Sequence, residues 1–353
     1  EHALEEYFGV KHAVVCSSGT AALHLAYAAA GMNSESLGII PAITFAATAN
    51  ALRYQGGEVQ FCDVEPETGL ISIESLQECL ARVSEKQKEK KNLIAPVSFA
   101  GAVAPLAQCQ KLASEHNFIL VEDASHSPGA STPDEQEGTI SSCSGTHALA
   151  STLSFHPVKH ICAGEGGAVL TNDLHVAKKA LRLRSHGINR PFTETDEMPW
   201  YYEQESLGWN YRLTDLQATL GLSQLSRLDN FLAKRRKLAR RYDQRLSESP
   251  FQEHINCPPF EEGHAWHLYI IRFKDESLRN LAYKYLKSKN ILTQVHYIPV
   301  YKHPYYQKQN QGFQLPGAEK FFQGCLSIPM YPDLKENEQD RVLETLEQFL
   351  LNG

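Results

Sequence analysis

The chain has 353 residues, 42% of them hydrophobic and 21% charged, with a formal net charge of -7. That length allows a large core and two domains, and the acidic balance speaks against a nucleic-acid partner, which calls for a basic excess. No apolar run approaches the ~20 residues of a membrane span, and the 8 cysteines and 15 histidines show no metal-site spacing, so a reduced, cytoplasmic protein without membrane or metal is expected.

The first seven residues are acidic and amphipathic, unlike a signal peptide. They open inside a helical pattern with no capping residue ahead, so an upstream segment is expected. Residues 13–16 read as a strand. Residues 20–30 read as an Ala- and Leu-rich helix stopped by Gly31. Strands follow at 37–40 and 59–64, with a helix at 46–54 between them. Strands at 93–99 and 118–122 bracket a helix at 106–116. This alternation predicts a mostly parallel sheet covered on both faces, with ligands gathering at the carboxyl ends of its strands.

The acidic segment 131–144 reads as an exposed loop. Residues 214–242 read as one long helix, basic in its second half. Beyond about residue 245 the pattern is strand at 267–273, helix at 278–290, strand at 293–298 and helix at 337–350. The expected division is a large domain over 1–225, then a connecting helix and a small α+β domain over 226–353.

Three elements carry chemistry. Ser17-Ser18-Gly19-Thr20 follows a strand and opens a helix. That is the setting of an anion site, with free N–H groups and a positive dipole end. Asp123 ends the strand at 118–122. A carboxylate there can hold a pyridinium nitrogen protonated, which makes such a ring an electron sink. Lys159 follows the apolar stretch Leu153-Ser154-Phe155-His156-Pro157-Val158 and precedes Gly164-Glu165-Gly166-Gly167. Desolvation lowers a lysine pKa and makes the amine a nucleophile toward carbonyl compounds, pyridoxal phosphate among them. Each signal alone is matched by a bland reading: an N-cap, a loop carboxylate, a surface lysine. Their order at the strand ends of one sheet makes them mutually consistent.

With these motifs the chain resembles the DegT/DnrJ/EryC1/StrS sugar aminotransferases, nearly end to end. The resemblance rests on Ser18-Gly19-Thr20-Ala21-Ala22-Leu23, Thr44-Phe45-Ala46-Ala47-Thr48-Ala49-Asn50, Glu122-Asp123-Ala124, and the lysine motif with its glycines. It implies an α/β fold of the aspartate-aminotransferase type (PLP fold type I), with a large mostly parallel sheet domain and a smaller α+β C-terminal domain. Trp200-Tyr201-Tyr202 and Leu207-Gly208-Trp209-Asn210-Tyr211-Arg212 are similar to the subgroup of pseudaminic acid biosynthesis. Its members aminate C4 of a UDP-linked 4-keto-6-deoxy N-acetyl sugar, with L-glutamate as donor and 2-oxoglutarate as product.

Residue by residue, the resemblance implies pyridoxal 5'-phosphate on Lys159, with Asp123 at the pyridine nitrogen and Phe45 stacked on the ring. His126 reaches its other face or its phenolic oxygen, and Thr20, Ala21 and Ser154 contact the phosphate. Asn210 reaches the phosphate of the neighbouring subunit, with Arg212 as a second contact, so the active unit is a homodimer with shared sites. His296 and Tyr297 are expected at the substrate mouth. Two features depart from the subgroup: Cys162-Ala163 stands where it has Thr-Thr, and the 131–144 segment is longer. A different nucleotide keto sugar (3-keto, or dTDP- or GDP-linked) and a non-catalytic regulator on the same fold are the alternatives. Dehydratases on this fold carry histidine in place of the lysine.

Overall fold

The structure is a computed structural model that describes residues 1–134, 138–191, 197–308, 312 and 314–352. Its centre is a seven-stranded sheet. In chain order the strands are β1 (His12–Cys16), β2 (Leu37–Pro41), β3 (Glu58–Cys62), β4 (Asn92–Ile94) and β5 (Phe118–Asp123). The hairpin β6 (Ser131–Asp134) and β7 (Gly138–Ser141) stands apart, and β8 (Ala150–Ser154) and β9 (Gly167–Thr171) complete the sheet. The spatial order is β1-β9-β8-β5-β4-β2-β3. The pairs β8·β5, β5·β4, β4·β2 and β2·β3 are parallel, and β9 runs antiparallel to both β1 and β8. Six strands therefore share one direction. The carboxyl ends of β1, β5 and β8 lie on one edge, together with the start of β9.

The helix Gly19–Ala29 buries nine of its residues, from Ala21 to Ala29. A helix apolar all round belongs in an interior, and its alanines let it lie close against β8 and β9. That fixes its N-terminus at the end of β1. Two glycines permit the approach. A Cβ on Gly167 would stand 2.4 Å from the Ser18 carbonyl oxygen, and one on Gly19 would stand 2.7 Å from Ser154 Cβ.

The second half builds a three-stranded antiparallel sheet from Ile255–Asn256, Tyr269–Phe273 and Cys325–Ile328. The helices Leu228–Leu246, Glu276–Ser288 and Glu336–Asn352 accompany it. Arg235, buried in the first of these helices, donates from Nη1 to the carbonyls of Trp266, His267 and Met330 at 2.9, 3.2 and 3.0 Å. Three carbonyls offset part of the cost of burying the guanidinium, whose Nε is buried without a partner, and they tie the helix to the loop carrying His267. Val300, Tyr301 and Phe321 join the same apolar cluster as the large sheet. No helix among the described residues is long and apolar enough to cross a membrane.

Three elements differ from the sequence reading. Within the 131–144 segment β6 and β7 pair antiparallel, with only Ile140 of β7 turned inward. The 214–242 stretch is two helices, Asp215–Leu225 and Leu228–Leu246, and the first starts at a Thr214/Gln217 capping box. The 293–298 segment makes one bridge, Gln294 to Ser327, and no strand; His296 and Tyr297 line the cavity described next.

Candidate active site

A cavity of about 580 Å³ opens at the strand ends, lined by Ser18, Thr20, Phe45, Asp123, Ser154 and Lys159 among others. Its size is that of a small-molecule site.

The cradle comes first. Ser18 caps the helix Gly19–Ala29 with its side chain, accepting from the Ala21 N–H at 3.1 Å. The Gly19 and Thr20 N–H groups have no acceptor within a helix, as at any helix start, and they face the cavity together with Ser154 from β8. Ala21 is buried, and its N–H is spent on Ser18. The structure thus leaves Gly19 and Thr20, rather than Ala21, as free backbone donors.

Asp123 ends β5 and is buried. Its Oδ2 accepts the Thr48 hydroxyl at 2.7 Å, and its Oδ1 accepts the Ser125 hydroxyl at 2.6 Å and the Ser125 N–H at 3.1 Å. Thr48 has one proton and gives it to the carboxylate, so Thr44 donates to Thr48 across their 2.8 Å contact,. Neither Thr48 nor Ser125 was singled out from sequence.

Glu122 points to the opposite face of β5. It is buried among four donors: the hydroxyls of Ser98, Ser142 and Ser151 and the N–H of Cys143. That network ties the end of the hairpin and β8 to β5 directly behind Asp123, and the sequence reading did not anticipate it.

Lys159 is partly buried, and it lines the cavity. Desolvation pulls its pKa down to about 8, and the charge of Asp123 opposes that fall. The amine and the carboxylate therefore sense each other across the cavity.

His126 is buried, lines the cavity and packs against His267 at 4.3 Å between ring centroids, the rings tilted by 36°. Burial, with the Lys159 charge second, holds it well below the usual histidine range. Tyr297 and His296 also line the cavity, as expected of a mouth. Phe45 is 61% exposed and lies 6.1 Å from the Tyr297 ring. Asn210 is not brought in: it is exposed and bridges to Ser185, while its neighbour Tyr211 accepts the Ser17 N–H at 2.8 Å. Arg212 lies on the same exposed strip.

These residues fit pyridoxal phosphate. Free N–H groups suit its phosphate, a carboxylate with both oxygens held suits its ring nitrogen, and an amine of lowered pKa suits its aldehyde.

Comparison with known proteins agrees. The profile of the DegT/DnrJ/EryC1/StrS aminotransferase family matches residues 1–347. The chain is 36% identical over 352 residues to a UDP-4-amino-4,6-dideoxy-N-acetyl-beta-L-altrosamine transaminase of Campylobacter jejuni, covering 99% of this chain and 88% of that one. PseC of Helicobacter pylori, an aminotransferase involved in the biosynthesis of pseudoaminic acid, superposes with a TM-score of 0.87 at 30% identity, covering 100% of this chain and 90% of that one. The NtdA protein of Bacillus subtilis, solved with the cofactor PMP bound, gives a TM-score of 0.84 at 28% identity over 99% of this chain and 75% of that one.

Proposed function

The chain belongs to the DegT/DnrJ/EryC1/StrS aminotransferase family, and on that premise we propose that it moves the amino group of L-glutamate to C4 of a UDP-linked 4-keto-6-deoxy N-acetyl hexose. It is a pyridoxal-phosphate-dependent sugar aminotransferase. The substrate reading is supported by its likeness to the altrosamine transaminase and to PseC. The observation that carries the chemistry is one cavity holding Lys159, Asp123 and the Gly19–Thr20 cradle.

When bound, pyridoxal phosphate supplies an electrophilic carbon and a ring that withdraws electrons from the bond being broken. The chain does the rest. Gly19, Thr20 and Ser154 hold the phosphate at a helix N-terminus. Asp123, held through both oxygens by three donors, would pair with a protonated ring nitrogen. Lys159 Nζ, with a pKa near 8, is a base matched to neutral working pH. With the cofactor bound it would carry the proton from the donor's α-carbon to the cofactor's aldehyde-derived carbon, and in the second half of the reaction carry a proton from that carbon to C4 of the sugar. Phe45 and Val158, both exposed at the cavity, offer apolar surface that can cover the reacting groups.

The working unit in this reading is a cytoplasmic homodimer in which Asn210 serves the neighbouring site. Leu207, Leu216 and Leu222 are 83%, 86% and 58% exposed around that strip. A second copy of the chain would cover such an apolar surface. All eight cysteines are free, which suits a reducing compartment.

The test is direct. Purified protein given pyridoxal phosphate is expected to gain a visible band, and borohydride to fix the cofactor on Lys159. Glutamate is expected to discharge that band. A panel of UDP- and dTDP-linked keto sugars then reads the acceptor. Turnover confined to a 3-keto or dTDP-linked sugar would overturn the substrate reading while leaving the chemistry intact.

A further inference from the structure

Residues 209–211 run antiparallel to the end of the helix Leu174–Arg184 and the turn after it, with a bridge between Asn210 and Ser185. The Trp209 N–H donates to the Leu183 carbonyl at 2.7 Å, and the Tyr211 N–H donates to the Arg184 carbonyl at 3.0 Å. Extended backbone sends successive side chains to opposite faces. Trp209 and Tyr211 pack on the large core with their rings 5.6 Å apart and 13° from parallel, while Asn210 between them is exposed. The two aromatic anchors therefore decide where Asn210 points.

Tyr211 also reaches the cradle at two points. Its carbonyl accepts the Ser17 N–H at 2.8 Å, one residue before the Ser18 cap. Its hydroxyl meets Nδ1 of His24 at 3.2 Å. His24 is buried in the helix Gly19–Ala29, its ring 4.1 Å from that of Trp209. Burial pulls its pKa down to about 4, and its Nε2 is buried with no hydrogen-bond partner. An orphaned buried nitrogen costs stability, and a leucine would fill the position without that cost. Among the described residues, the Tyr211 phenol is the one polar contact this ring makes.

The two ends of this strut face different places. Ser17, Gly19 and Thr20 line the cavity of their own chain, and Asn210 lies outside it. In the proposed dimer Asn210 serves the neighbouring subunit. Tyr211 thus stands between the anion cradle of its own chain and a contact to the partner's site, and a shift at one end is carried by the same hydrogen bonds to the other.

We propose that Tyr211 and His24 are positioning residues for both active sites of the dimer: for their own chain's site through Ser17, and for the partner's through Asn210. The inference rests on the shared-site reading of Asn210. A ring that only filled the core would act on the site of its own chain and not across the interface.

The experiment uses hybrid dimers purified through a different tag on each chain. One chain is wild type and holds the single intact Lys159. Its partner is Lys159→Ala, alone or combined with a second change, which can then reach the intact site only across the interface. Pyridoxal phosphate affinity is read by titration as cofactor fixed on Lys159 by borohydride. Tyr211→Phe in the partner keeps the ring stacking and deletes the hydroxyl, so affinity is expected to fall roughly threefold to tenfold, the scale of one neutral hydrogen bond. His24→Leu in the partner removes the same bond from its other end and is expected to act alike; if either variant does not fold, the other decides. Asn210→Ala in the partner is the control. Affinity that falls with Asn210→Ala but not with Tyr211→Phe or His24→Leu overturns the proposal and leaves the shared site standing. Affinity unchanged by all three is a different result: it removes the shared-site reading, and this inference with it.

Discussion

Thr48 gives its hydroxyl proton to Asp123 across 2.7 Å, and the two residues are 75 positions apart in the chain. Thr48 is fully buried, and its own oxygen is met by Thr44. Two hydroxyls in series therefore hold Asp123 in place on one side, and Ser125 does so on the other.

Removing that support is expected to weaken the hold on the cofactor. Thr48→Val conserves volume and deletes a hydrogen bond to a charged group, an interaction of about 1.5–3 kcal/mol. Pyridoxal phosphate affinity should fall by roughly 10- to 100-fold, read by titration of the visible band. Ser125→Ala, which leaves the Ser125 N–H bond in place, should cost less. Unchanged affinity in both variants would show that the clamp is incidental.

Lys159→Ala is expected to abolish turnover and borohydride-stable attachment while leaving the melting temperature unchanged or raised. The reason is the sign of its burial: desolvation disfavours the ammonium, so deleting it removes a cost rather than a contact. Lys159→Arg should be as inactive, because a guanidinium cannot serve as the base. In the wild type, the rate of amino-group loss from glutamate should rise with pH through about 8, as Lys159 gives up its proton. A flat profile there would point to another base.

The cradle, Asp123 and Lys159 were legible because each follows a strand and each residue type has few chemical uses at a strand end. Their supports were not. Tyr297 meets His126 across 171 positions, and no local pattern encodes that encounter. The 293–298 segment looks like a strand because Thr293, Val295 and Ile298 are β-branched, but His296 and Tyr297 line the cavity and a single bridge is all that forms. The 131–144 stretch is polar enough to read as a loop. A hairpin facing solvent on one side needs only one inward residue, here Ile140, and Glu122 anchors its end through Ser142 and Cys143.

Acid should unfold the protein through its buried imidazoles. His126, His160, His264 and His267 are all buried, and burial is the leading cause that lowers each pKa, that of His264 to about 3. The unfolded chain titrates these groups near pH 6.5, and so binds more protons than the folded chain below that pH. Stability is therefore fully present above about 6.5 and is lost as pH falls below it. Each histidine contributes a slope of roughly 1.4 kcal/mol per pH unit. Urea midpoints measured at pH 7.5, 6.5 and 5.5 should fall slightly across the first interval and steeply across the second. A level midpoint throughout would mean that the imidazoles are hydrated or charged in the folded state.

Gly167→Ala tests the cradle without touching a reactive group. The new methyl group would lie 2.4 Å from the Ser18 carbonyl oxygen and 2.8 Å from the Gly19 nitrogen. Both are backbone atoms that cannot rotate away, so the loop must move. Overpacking of this kind costs about 1–3 kcal/mol, and here the strain falls on the proposed phosphate site. A loss of stability with a parallel loss of cofactor affinity is expected. Lost stability with unchanged affinity would place the phosphate elsewhere.

Asn210 offers the sharpest test of a shared site. It lies outside the cavity of its own chain, on an exposed strip flanked by bare leucines. Suppose Asn210 serves the neighbouring subunit. Then Lys159→Ala and Asn210→Ala protomers, each inactive as homodimers, complement one another. In a hybrid dimer one site combines both lesions, and the other joins an intact Lys159 to an intact partner Asn210. Random reassociation of equal amounts makes half the dimers hybrid, each with one competent site of two, so about a quarter of wild-type activity should return. If Asn210 acts within its own chain, every site in the mixture carries a lesion and no activity returns. The measurement is amino transfer from glutamate after mixing under conditions that exchange subunits. Size-exclusion light scattering on the same sample checks that dimers have re-formed.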